Sequence, residues 1–497
     1  MSKTSGYPKR RTVIAVIIAV ALAAATRRVQ KQREAGSPNR GPVATMSRFG
    51  RNRDVARMGS RAGADLAVTR ARQVFASAAR SEELQTEFEL RTAEQVTEAL
   101  GNMKGAMMKV GQMASYLDQG LPEHVRDAMA QLQSDAPPMA FELVDGVIQR
   151  ELSGSADEVF AEFDPVPIAS ASIGQVHRAI TRDGRAVAVK VQYPGVDEAI
   201  DADLDNLDML FGGMAVIFNG LDPEPLVAEL KERLREELDY IKEAENQRQF
   251  ADYYRGHPHV HVPEVIDELC TARVLTTELA EGVRWAEMVT WSQDERNLAA
   301  ECIYRYAFTG LYRVAAFNGD PHPGNYLFQP GGRVTFLDYG LVKHFQPGTL
   351  EAFGELIHYM CIETDIAKYR QAVEDLDLLR PGHSFTDAEV GDYFGHFYEF
   401  VLEDGEFTIT NEYASETVRR FFDVNGPHRD IMKAANVPAD FVVIQRINLG
   451  LFALFGEVEA TANWRAIAEE IWPFVDGPPS TPMGVAHAEW AKSVGGR

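Results

Sequence analysis

The sequence has few cysteines and no uncharged run of 20 residues. Its 497 residues include three cysteines, Cys270, Cys302 and Cys361, which lie far apart and form no CxxC pair. This scarcity argues against a disulfide framework and a cysteine zinc site, and it fits a reducing compartment. The apolar run Thr12–Thr26 has 15 residues, fewer than the ~20 that a helix needs to cross a bilayer.

Positive charge is concentrated in the first 80 residues, and the rest of the chain is acidic. Residues 1–80 contain 17 Lys and Arg against 3 Asp and Glu, whereas the remainder contains 33 against 70, giving the net charge of −23. An acidic body is a poor match for nucleic acid, and a basic arm favours contact with anionic lipid. Binding of nucleic acid by the arm alone is the less favoured alternative.

Three interpretations of Thr12–Thr26 stay open. The basic start, the apolar run and the small residues Ala23 to Ala25 are typical of a cleaved signal peptide. A short spanning helix with snorkelling arginines and a helix lying in the membrane interface are the other two. The motifs described below require a cytoplasm-like compartment. They therefore favour an anchor, or peripheral contact, on the cytoplasmic side of a membrane.

The order of predicted elements favours an α+β fold with two lobes. Residues 1–80 form the basic arm, and a helical pattern follows over 81–150. Residues 151–282 contain two β-rich runs joined at Asp183-Gly184, a strong hairpin signal. Residues 283–480 are mostly helical, and 481–497 form a tail. We expect the most apolar run of the helical part, VIQRINLGLFALFGEV, to join the core rather than contact lipid.

The stretch FNGDPHPGNYLF, residues 317–328, places a carboxylate and a carboxamide in one loop. Asp320 is followed at +5 by Asn325, and Asn325 at +13 by Asp338. These are the intervals of the catalytic loop and the metal-binding Asp of protein kinases. They predict that Asp320 accepts a proton from the attacking oxygen or orients it, while Asn325 and Asp338 supply hard oxygen ligands to Mg²⁺. A capped loop without a ligand is the alternative; in either case we expect His322 to hydrogen-bond within the loop.

Lys190 strengthens the kinase interpretation because it occurs upstream, in the required order. It lies in the alternating apolar run AVAVKVQ, directly after the hairpin. In a kinase lobe such a Lys reaches the α- and β-phosphates and pairs with a helix Glu. An edge-strand Lys facing water is the alternative for Lys190 alone. Lys190, Asp320, Asn325 and Asp338 together predict a catalytic site for ATP or ADP with Mg²⁺.

Seven motifs follow one another over roughly residues 86–342: KVGQ (109–112), QSD (133–135), PIASASIGQVH, VAVKVQYPG, EELDYIKEAEN, DPHPGN and LDYG. Together they resemble the AarF/UbiB family of atypical kinases, which includes the coenzyme Q biosynthesis factors. The resemblance implies a two-lobed protein-kinase-like fold with an N-terminal helical KxGQ extension and a mostly helical C-terminal lobe. It also implies a phosphotransferase-type enzyme, kinase or ATPase, that supports isoprenoid lipid or quinone metabolism at a membrane.

One loop departs from ordinary kinases, which cover the phosphates with a Gly-rich loop. Here the equivalent segment is ASASIGQ, residues 169–175, with a single Gly. Its side chains should stiffen the loop, and the resemblance implies an altered nucleotide preference. The residues expected to contact nucleotide are Ala169, Ser170, Ala171, Ser172, Gly174 and Gln175. A plain β-turn without a ligand is the alternative.

The segment LREELDYIKEAEN supplies carboxylates for two roles. The resemblance assigns Glu237 and Asp239 to contacts with the KxGQ segment, and a helix Glu to an ion pair with Lys190 at the nucleotide site. Glu243 is the first choice for that pair and Glu237 the second. A solvated acidic helix face is the alternative for each carboxylate.

Lys109 and Gln112 lie one helical turn apart in the KxGQ motif. The resemblance implies that this extension packs across the cleft where a protein kinase receives its peptide. Lys109 and Gln112 would then be regulatory, together with Glu237 and Asp239. A lipid-like or small-molecule substrate, or ATP hydrolysis alone, becomes favoured over a peptide. A conventional Ser/Thr protein kinase and a nucleotide-sensing scaffold without chemistry are the alternatives.

Two further expectations concern the site's surroundings. ELAEG, Glu278 to Gly282, should connect the lobes and present backbone groups near Glu278 and Ala280 to adenine. A strand end that turns at Gly282 is an equally adequate interpretation. Tyr339 stands where Phe is usual, which adds a hydroxyl near the metal site without removing Asp338.

Overall fold

The computed structural model describes residues 139–171, 173–197, 238–382, 384–422, 426–436 and 438–495. The chain divides into two compact units. Described residues of the first unit lie before Tyr240 and in the short segment 271–274, and the second unit contains 240–270 and the chain from Leu275 onward. These two compact units are not the same as the predicted lobes, and the lobe boundary at residue 282 stays a prediction.

The first unit is built on an antiparallel sheet. Helices α1 (Phe141–Leu152) and α2 (Ala156–Val159) precede strands β1 (Phe160–Phe163), β2 (Ala169–Ser170), β3 (Gly174–Thr181) and β4 (Ala186–Gln192). β3 pairs with β1, β2 and β4. The predicted hairpin at Asp183-Gly184 is confirmed: the Thr181 N–H donates to the Arg185 carbonyl, and Gly184 has the positive φ, +89°, that such a turn favours.

Alternation of residue type divides the β3–β4 hairpin into two faces. Val187, Val189 and Val191 are fully buried, and helix α1 contacts β4 and buries its own Val144, Val147 and Ile148. Lys190 points to the opposite face, where its register partner on β3 is Val176, and both are only partly buried. The two-residue period thus places Lys190 on the more open face of the sheet.

The second unit contains short strands and most of the helices. A three-stranded sheet has the order β5 (Val260–His261), β9 (Arg333–Phe336), β8 (Tyr326–Gln329). β7 (Ala316–Asn318) pairs with β10 (Val342–His344), and β11 (Phe407–Thr408) with β12 (Thr461–Ala462). β6 (Val274–Glu278) begins in the first unit and continues into the second. The described α-helices are α3 (Tyr240–Tyr254), α4 (Trp285–Met288), α5 (Gln293–Thr309), α6 (Pro347–Ile357), α7 (Ile366–Asp375), α8 (Asp387–Gly395), α9 (Asn411–Phe422), α10 (Arg429–Ala434), α11 (Ala439–Glu457), α12 (Trp464–Glu469) and α13 (Pro482–Ser493).

Helices α5 and α11 contribute many buried residues to the second unit's core. α5 starts at the N-cap Ser292, whose hydroxyl accepts from the Glu295 N–H, and almost every residue of its second half is buried. α11 contains most of the run VIQRINLGLFALFGEV; its Ile447, Leu451, Phe452 and Phe455 are at most 3% exposed. The expectation that this run joins the core is confirmed. In the described ranges, no helix has both the length and the apolarity to span a bilayer.

Candidate active site

The β8–β9 hairpin brings Asn325 and Asp338 together. Tyr326 pairs with Phe336 at its open end, so Asn325 directly precedes one strand and Leu337-Asp338 directly follows the other. The Leu337 N–H donates to the Asn325 carbonyl at 2.9 Å. The 13-residue interval of the sequence therefore corresponds to two paired strands and their turn. This register places the backbones of the two predicted metal ligands at the same end of the hairpin.

Asp320 contacts Asn325 directly. The Asn325 Nδ2 donates to Asp320 Oδ2 at 3.1 Å and to the Asp320 carbonyl at 3.2 Å. A carboxylate accepts and cannot donate, so it fixes which end of the amide faces it. The amide oxygen Oδ1 of Asn325 is consequently on the other side, and it accepts no hydrogen bond from the residues described. It is an open hard-oxygen ligand, the type that Mg²⁺ prefers.

The loop between Asp320 and Asn325 is closed by its own backbone. The His322 N–H donates to the Asp320 carbonyl, and the Asn325 N–H donates to the His322 carbonyl. His322 Nδ1 accepts from the Gly324 N–H at 3.1 Å, which is the hydrogen bond expected of it. From outside the loop, Arg284 Nη1 donates to the Gly324 carbonyl. This prolyl loop is a short braced turn that holds the Asp320 carboxylate in place.

Asn318 links the two segments that carry Asp320 and Asp338. Its Nδ2 donates to the Asp338 carbonyl at 2.7 Å, while its Oδ1 accepts from the Asp320 N–H at 3.3 Å. The β7–β10 ladder adds a backbone connection, since the Gly319 N–H donates to the Leu341 carbonyl. Asn318 was not among the predicted site residues. Its signal in the sequence, an Asn two positions before the loop Asp, is weak by itself.

One face of helix α3 contacts the Asp338-Tyr339-Gly340 turn. The Asp338 Oδ1 accepts from the Gly340 N–H at 2.9 Å. A Cβ on Gly340 would lie 3.4 Å from Asp338 Oδ1 and 3.5 Å from Glu243 Oε2. Glu243 is 3% exposed, and Asn246, one turn later, donates to the Tyr339 carbonyl. The carboxylates of Asp338 and Glu243 therefore both lie close to Gly340.

Tyr339 is anchored by its hydroxyl. The Tyr306 hydroxyl, on α5, donates to the Tyr339 hydroxyl at 3.0 Å, and Asn318 Nδ2 lies 3.4 Å from the Tyr306 oxygen. Both tyrosines are buried, and burial raises the pKa of each above its usual value. The added hydroxyl of this turn therefore has a partner of its own. Sequence reasoning missed Tyr306 because nothing in the chain marks a tyrosine 33 positions away as a partner.

In the first unit, the loop before β3 is a tight turn. The Ala171 N–H donates to the Gly174 carbonyl, and the Ile173 carbonyl accepts from the Tyr193 N–H. Ile173 is 2% exposed. An apolar anchor replaces the bare backbone of a Gly-rich loop, in keeping with the stiffness expected of this segment. Ala169 and Ala171 are partly buried and Ser170 is exposed.

The side chain of Gln175 is engaged away from the face that carries Lys190. It accepts from the Met139 N–H at 2.8 Å, donates to the Met139 carbonyl, and lies 2.8 Å from His177 Nε2. It is fully buried on the same face as Val191, its register partner. The side chain of Gln175 is therefore occupied by Met139 and His177, and a nucleotide contact at Gln175 stays a prediction.

The segment ELAEG is held by contacts within the second unit. The Glu278 carboxylate accepts from the Glu264 N–H and lies 3.5 Å from His261 Nε2, and its hydrogen bond to His261 lowers the pKa of Glu278. Gly282 has φ +154°, and a Cβ there would crowd Leu327 and the Phe328 backbone. Ala280 in this segment is partly buried, and contact of the segment with adenine stays a prediction. Asp239, at the end of the first unit, is exposed.

The residues of the second unit fit a magnesium site built from few protein ligands. No group of three or more His, Cys, Asp or Glu side chains suited to a metal occurs in the ranges the structure covers. Mg²⁺ typically takes one or two carboxylates or amide oxygens together with phosphate oxygens and water. Asn325 Oδ1 and the Asp338 carboxylate match this donor set.

Comparison with known proteins decides the family. Residues 131–373 match the ABC1 atypical kinase-like domain. The chain belongs to the AarF/UbiB family of atypical kinases. It is 32% identical to the rat protein named atypical kinase COQ8B, mitochondrial, over 66% of this chain and 62% of that protein. It is 29% identical to the yeast atypical kinase COQ8, mitochondrial, over 56% of each chain.

A solved structure extends the comparison. The complex of Rv3197 with erythromycin from Mycobacterium tuberculosis matches with a TM-score of 0.59 and 31% identity, over 80% of this chain and all of that one. The predicted α+β, kinase-like fold is confirmed by these matches, and a phosphotransferase-type enzyme is confirmed at the level of the family. The chain spans about half the length of the curated relatives that it matches.

Several predicted residues lie outside the described ranges. They are Lys109, Gln112, Ser172 and Glu237, together with the apolar run Thr12–Thr26. The structure brings together Asp320, Asn325, Asp338 and Glu243 in the second unit. Lys190 is described in the first unit, and its pairing with Glu243 stays a prediction.

Proposed function

We propose that this chain binds Mg-ATP and uses it as an atypical kinase or ATPase. The observation that carries the proposal is the orientation of the Asn325 amide. Its nitrogen faces the Asp320 carboxylate, at 3.1 Å, so its oxygen is left for a cation next to Asp338. A capped loop without a ligand does not require an amide oxygen that accepts no hydrogen bond from the described residues.

Each residue of this cluster has a defined role in the proposed mechanism. Asp320 orients the attacking oxygen and accepts its proton, and the amide of Asn325 keeps that carboxylate in position. Asn325 Oδ1 and Asp338 hold Mg²⁺, which would neutralise charge on the phosphates. Asn318 fixes the spacing between the Asp320 and Asp338 segments, and it needs no contact with the substrate to do so.

The first unit would supply the phosphate contacts. Lys190 lies on the partly open face of the hairpin, beside Val176, where a phosphate-binding Lys is expected. From the preceding turn, the nucleotide, ATP or ADP, would be contacted by Ala169, Ser170, Ala171, Ser172 and Gly174. Glu243 remains our choice for the Lys190 ion pair, ahead of Glu237. Regulation by Lys109, Gln112, Glu237 and Asp239 follows from the family resemblance.

The acceptor and the place of action are further parts of the proposal. The names of the COQ8 relatives support a role in isoprenoid lipid or quinone metabolism, and that of the Rv3197 complex supports a small-molecule partner. The basic arm of residues 1–80 would contact anionic lipid on the cytoplasmic side of a membrane. This lipid contact would bring the site to a lipid-like substrate.

The test is ATP turnover by the full chain with Mg²⁺, with and without anionic liposomes. We expect Asp338→Asn to lower turnover by roughly a hundredfold or more, because a metal ligand is lost. The matched control is Asp294→Asn, the same substitution at an exposed position on helix α5. Equal turnover in wild type and Asp338→Asn removes the proposal.

Two other outcomes would select the alternatives. Tight nucleotide binding without turnover under every lipid condition selects a nucleotide-sensing scaffold. A peptide-phosphorylation signal that disappears in Asp320→Ala selects a conventional protein kinase.

A further inference from the structure

A polar cavity lies in the second unit, away from the Asp320–Asp338 cluster. It is lined by residues of α3, α5, α13 and the segments around them. Its volume is about 150 Å³. The apolar part of its lining is formed by Val260, Ile471, Pro479, Met483 and Ala488, and the polar part includes Arg305, Glu470 and His487. None of these residues belongs to the proposed nucleotide site.

Arg305 is buried and only partly satisfied. Its side chain is 8% exposed. Its Nε donates to Glu301 at 2.8 Å, and its Nη2 donates to Glu470 and to the Thr481 hydroxyl, both at 2.6 Å. Nη1 donates to none of the residues described. Since Arg305 lines the cavity, the N–H groups of Nη1 are available to an occupant.

Glu470 has no acceptor capacity left for an occupant. Its Oε1 accepts from the Ser480 N–H, the Ser480 hydroxyl and the Thr481 N–H. Its Oε2 accepts from Arg305 and from the Thr481 hydroxyl. Five hydrogen bonds use its lone pairs, so this carboxylate anchors the start of helix α13 and offers nothing to a ligand that donates.

Backbone hydrogen bonds determine the tautomers of the two histidines. His257 Nδ1 accepts from the N–H groups of His259 and Val260, so its proton is on Nε2. That Nε2–H donates to His487 Nδ1 at 3.0 Å. His487 must then carry its proton on Nε2, which donates to no residue in the described ranges. Burial lowers the pKa of His257 to about 3 and that of His487 to about 4, so both are neutral at pH 7.

Charge and shape decide the class of occupant. The positive charge of Arg305 is matched by Glu301 and Glu470, so little attraction for an anion remains. The open groups, Arg305 Nη1 and His487 Nε2, are donors. A cavity of ~150 Å³ accommodates a molecule about the size of benzene. Water alone would fill it poorly, because a buried water needs two to four polar partners and much of the cavity lining is apolar.

We propose that this cavity binds a small neutral ring-sized molecule whose carbonyl oxygen accepts hydrogen bonds from Arg305 and His487. The apolar residues contact the ring. The site is separate from the Asp320–Asp338 cluster, so its test is independent of ATP turnover.

In the experiment, the full chain is titrated with three probes at pH 7, and binding of each probe is measured by ligand-observed NMR. Cyclohexanone has the ring and the acceptor, methylenecyclohexane replaces the oxygen with an isosteric CH₂, and cyclopentanecarboxylate carries a charge. We expect cyclohexanone to bind on the order of tenfold more tightly than methylenecyclohexane, because the ketone alone satisfies the open donors. Equal affinities, tighter binding of the carboxylate, or no saturable binding of cyclohexanone would each overturn the proposal.

A matched pair of variants locates the site. Ala488→Leu fills the cavity and should abolish binding of cyclohexanone. Ala486→Leu makes the same change on the same helix at a residue outside the cavity lining, and it should leave binding unchanged. Thermal unfolding confirms that both variants are folded. Retained binding in a folded Ala488→Leu chain contradicts the location, and the probe comparison in wild type tests the chemistry independently.

Discussion

Two polar clusters lie in the second unit, and neighbouring residues of helix α5 contact them. Tyr306 belongs to the cluster around Asp338, whereas Arg305 belongs to the cluster around Glu470. In the first cluster the open atom is an amide oxygen, and in the second the open atoms are N–H groups. The comparison teaches that the unsatisfied group determines the ligand: oxygen favours a cation, and N–H favours an acceptor.

The largest effect on stability is expected at Gly484, which touches the second cluster only. A Cβ at this position would overlap the Glu470 carboxylate. Gly484→Ala should displace Glu470 from Arg305 and destabilise the second unit by about 3–5 kcal/mol, the usual effect of breaking a buried ion pair.

The control for Gly484→Ala is Gly477→Ala. Gly477 also lines the cavity, but a Cβ there would meet no atom within 4 Å. Denaturant unfolding followed by tryptophan fluorescence measures both variants. Similar midpoints for the two would show that the Arg305–Glu470 pair does not hold this cluster together.

Asn318→Ala should affect the first cluster without removing a ligand. The change deletes the hydrogen bonds to the Asp338 carbonyl and the Asp320 N–H. We expect ATP turnover to fall by roughly 10–100-fold, as is common when residues that orient metal ligands are lost. The Mg²⁺ concentration for half-maximal rate should rise as well, and the unfolding midpoint should change little. A variant with normal turnover and normal Mg²⁺ dependence would limit Asn318 to a structural role.

The second cluster should be the more sensitive to acid. Burial lowers the folded-state pKa of His257 to about 3 and that of His487 to about 4. The imidazole of an unfolded chain is exposed to solvent and has a pKa of 6.5. Below pH 6.5 the unfolded chain binds more protons than the folded one, so stability falls as pH is lowered from 6.5 towards 4.

His487→Phe removes one of these buried groups and measures its share of the acid sensitivity. The variant should lose less thermal stability than wild type between pH 6.5 and pH 4.5. His396, whose pKa burial also lowers to about 4, lies elsewhere in the second unit and keeps its contribution in both proteins. If the melting temperatures of the two proteins fall in parallel across this pH range, the pKa of His487 is the same in the folded and unfolded chains, which contradicts the prediction.

The two clusters differ in how far the sequence predicts them. Asp320, Asn325 and Asp338 follow a spacing that two paired strands and a turn convert directly into proximity, so local pattern was enough. Arg305, Glu470 and His487 are separated by up to 182 positions, and no local period connects them. Their meeting depends on how α5 and α13 pack, which a single sequence does not reveal.

The same distinction applies within the first unit. The turn at Asp183-Gly184 and the face of Lys190 follow from turn chemistry and a two-residue period. Gln175 was grouped with the predicted nucleotide contacts because of its position in the motif. The hydrogen bonds between its side chain and Met139, 36 positions away, arise from tertiary packing, which the order of the motif does not reveal.

The smallest effect is expected from the hydroxyl that distinguishes this Asp-Tyr-Gly turn. Tyr306→Phe and Tyr339→Phe each remove one side of a buried hydrogen bond of 3.0 Å, and the double variant removes both. We expect a coupling energy of about 1 kcal/mol in unfolding, the usual range for a neutral hydrogen bond. Turnover should fall only a few-fold in each, because Asn246 still holds the Tyr339 carbonyl. Strictly additive single variants would mean that the two hydroxyls act separately, and the turn would then be held by the Asn246 hydrogen bond and by packing against Phe250.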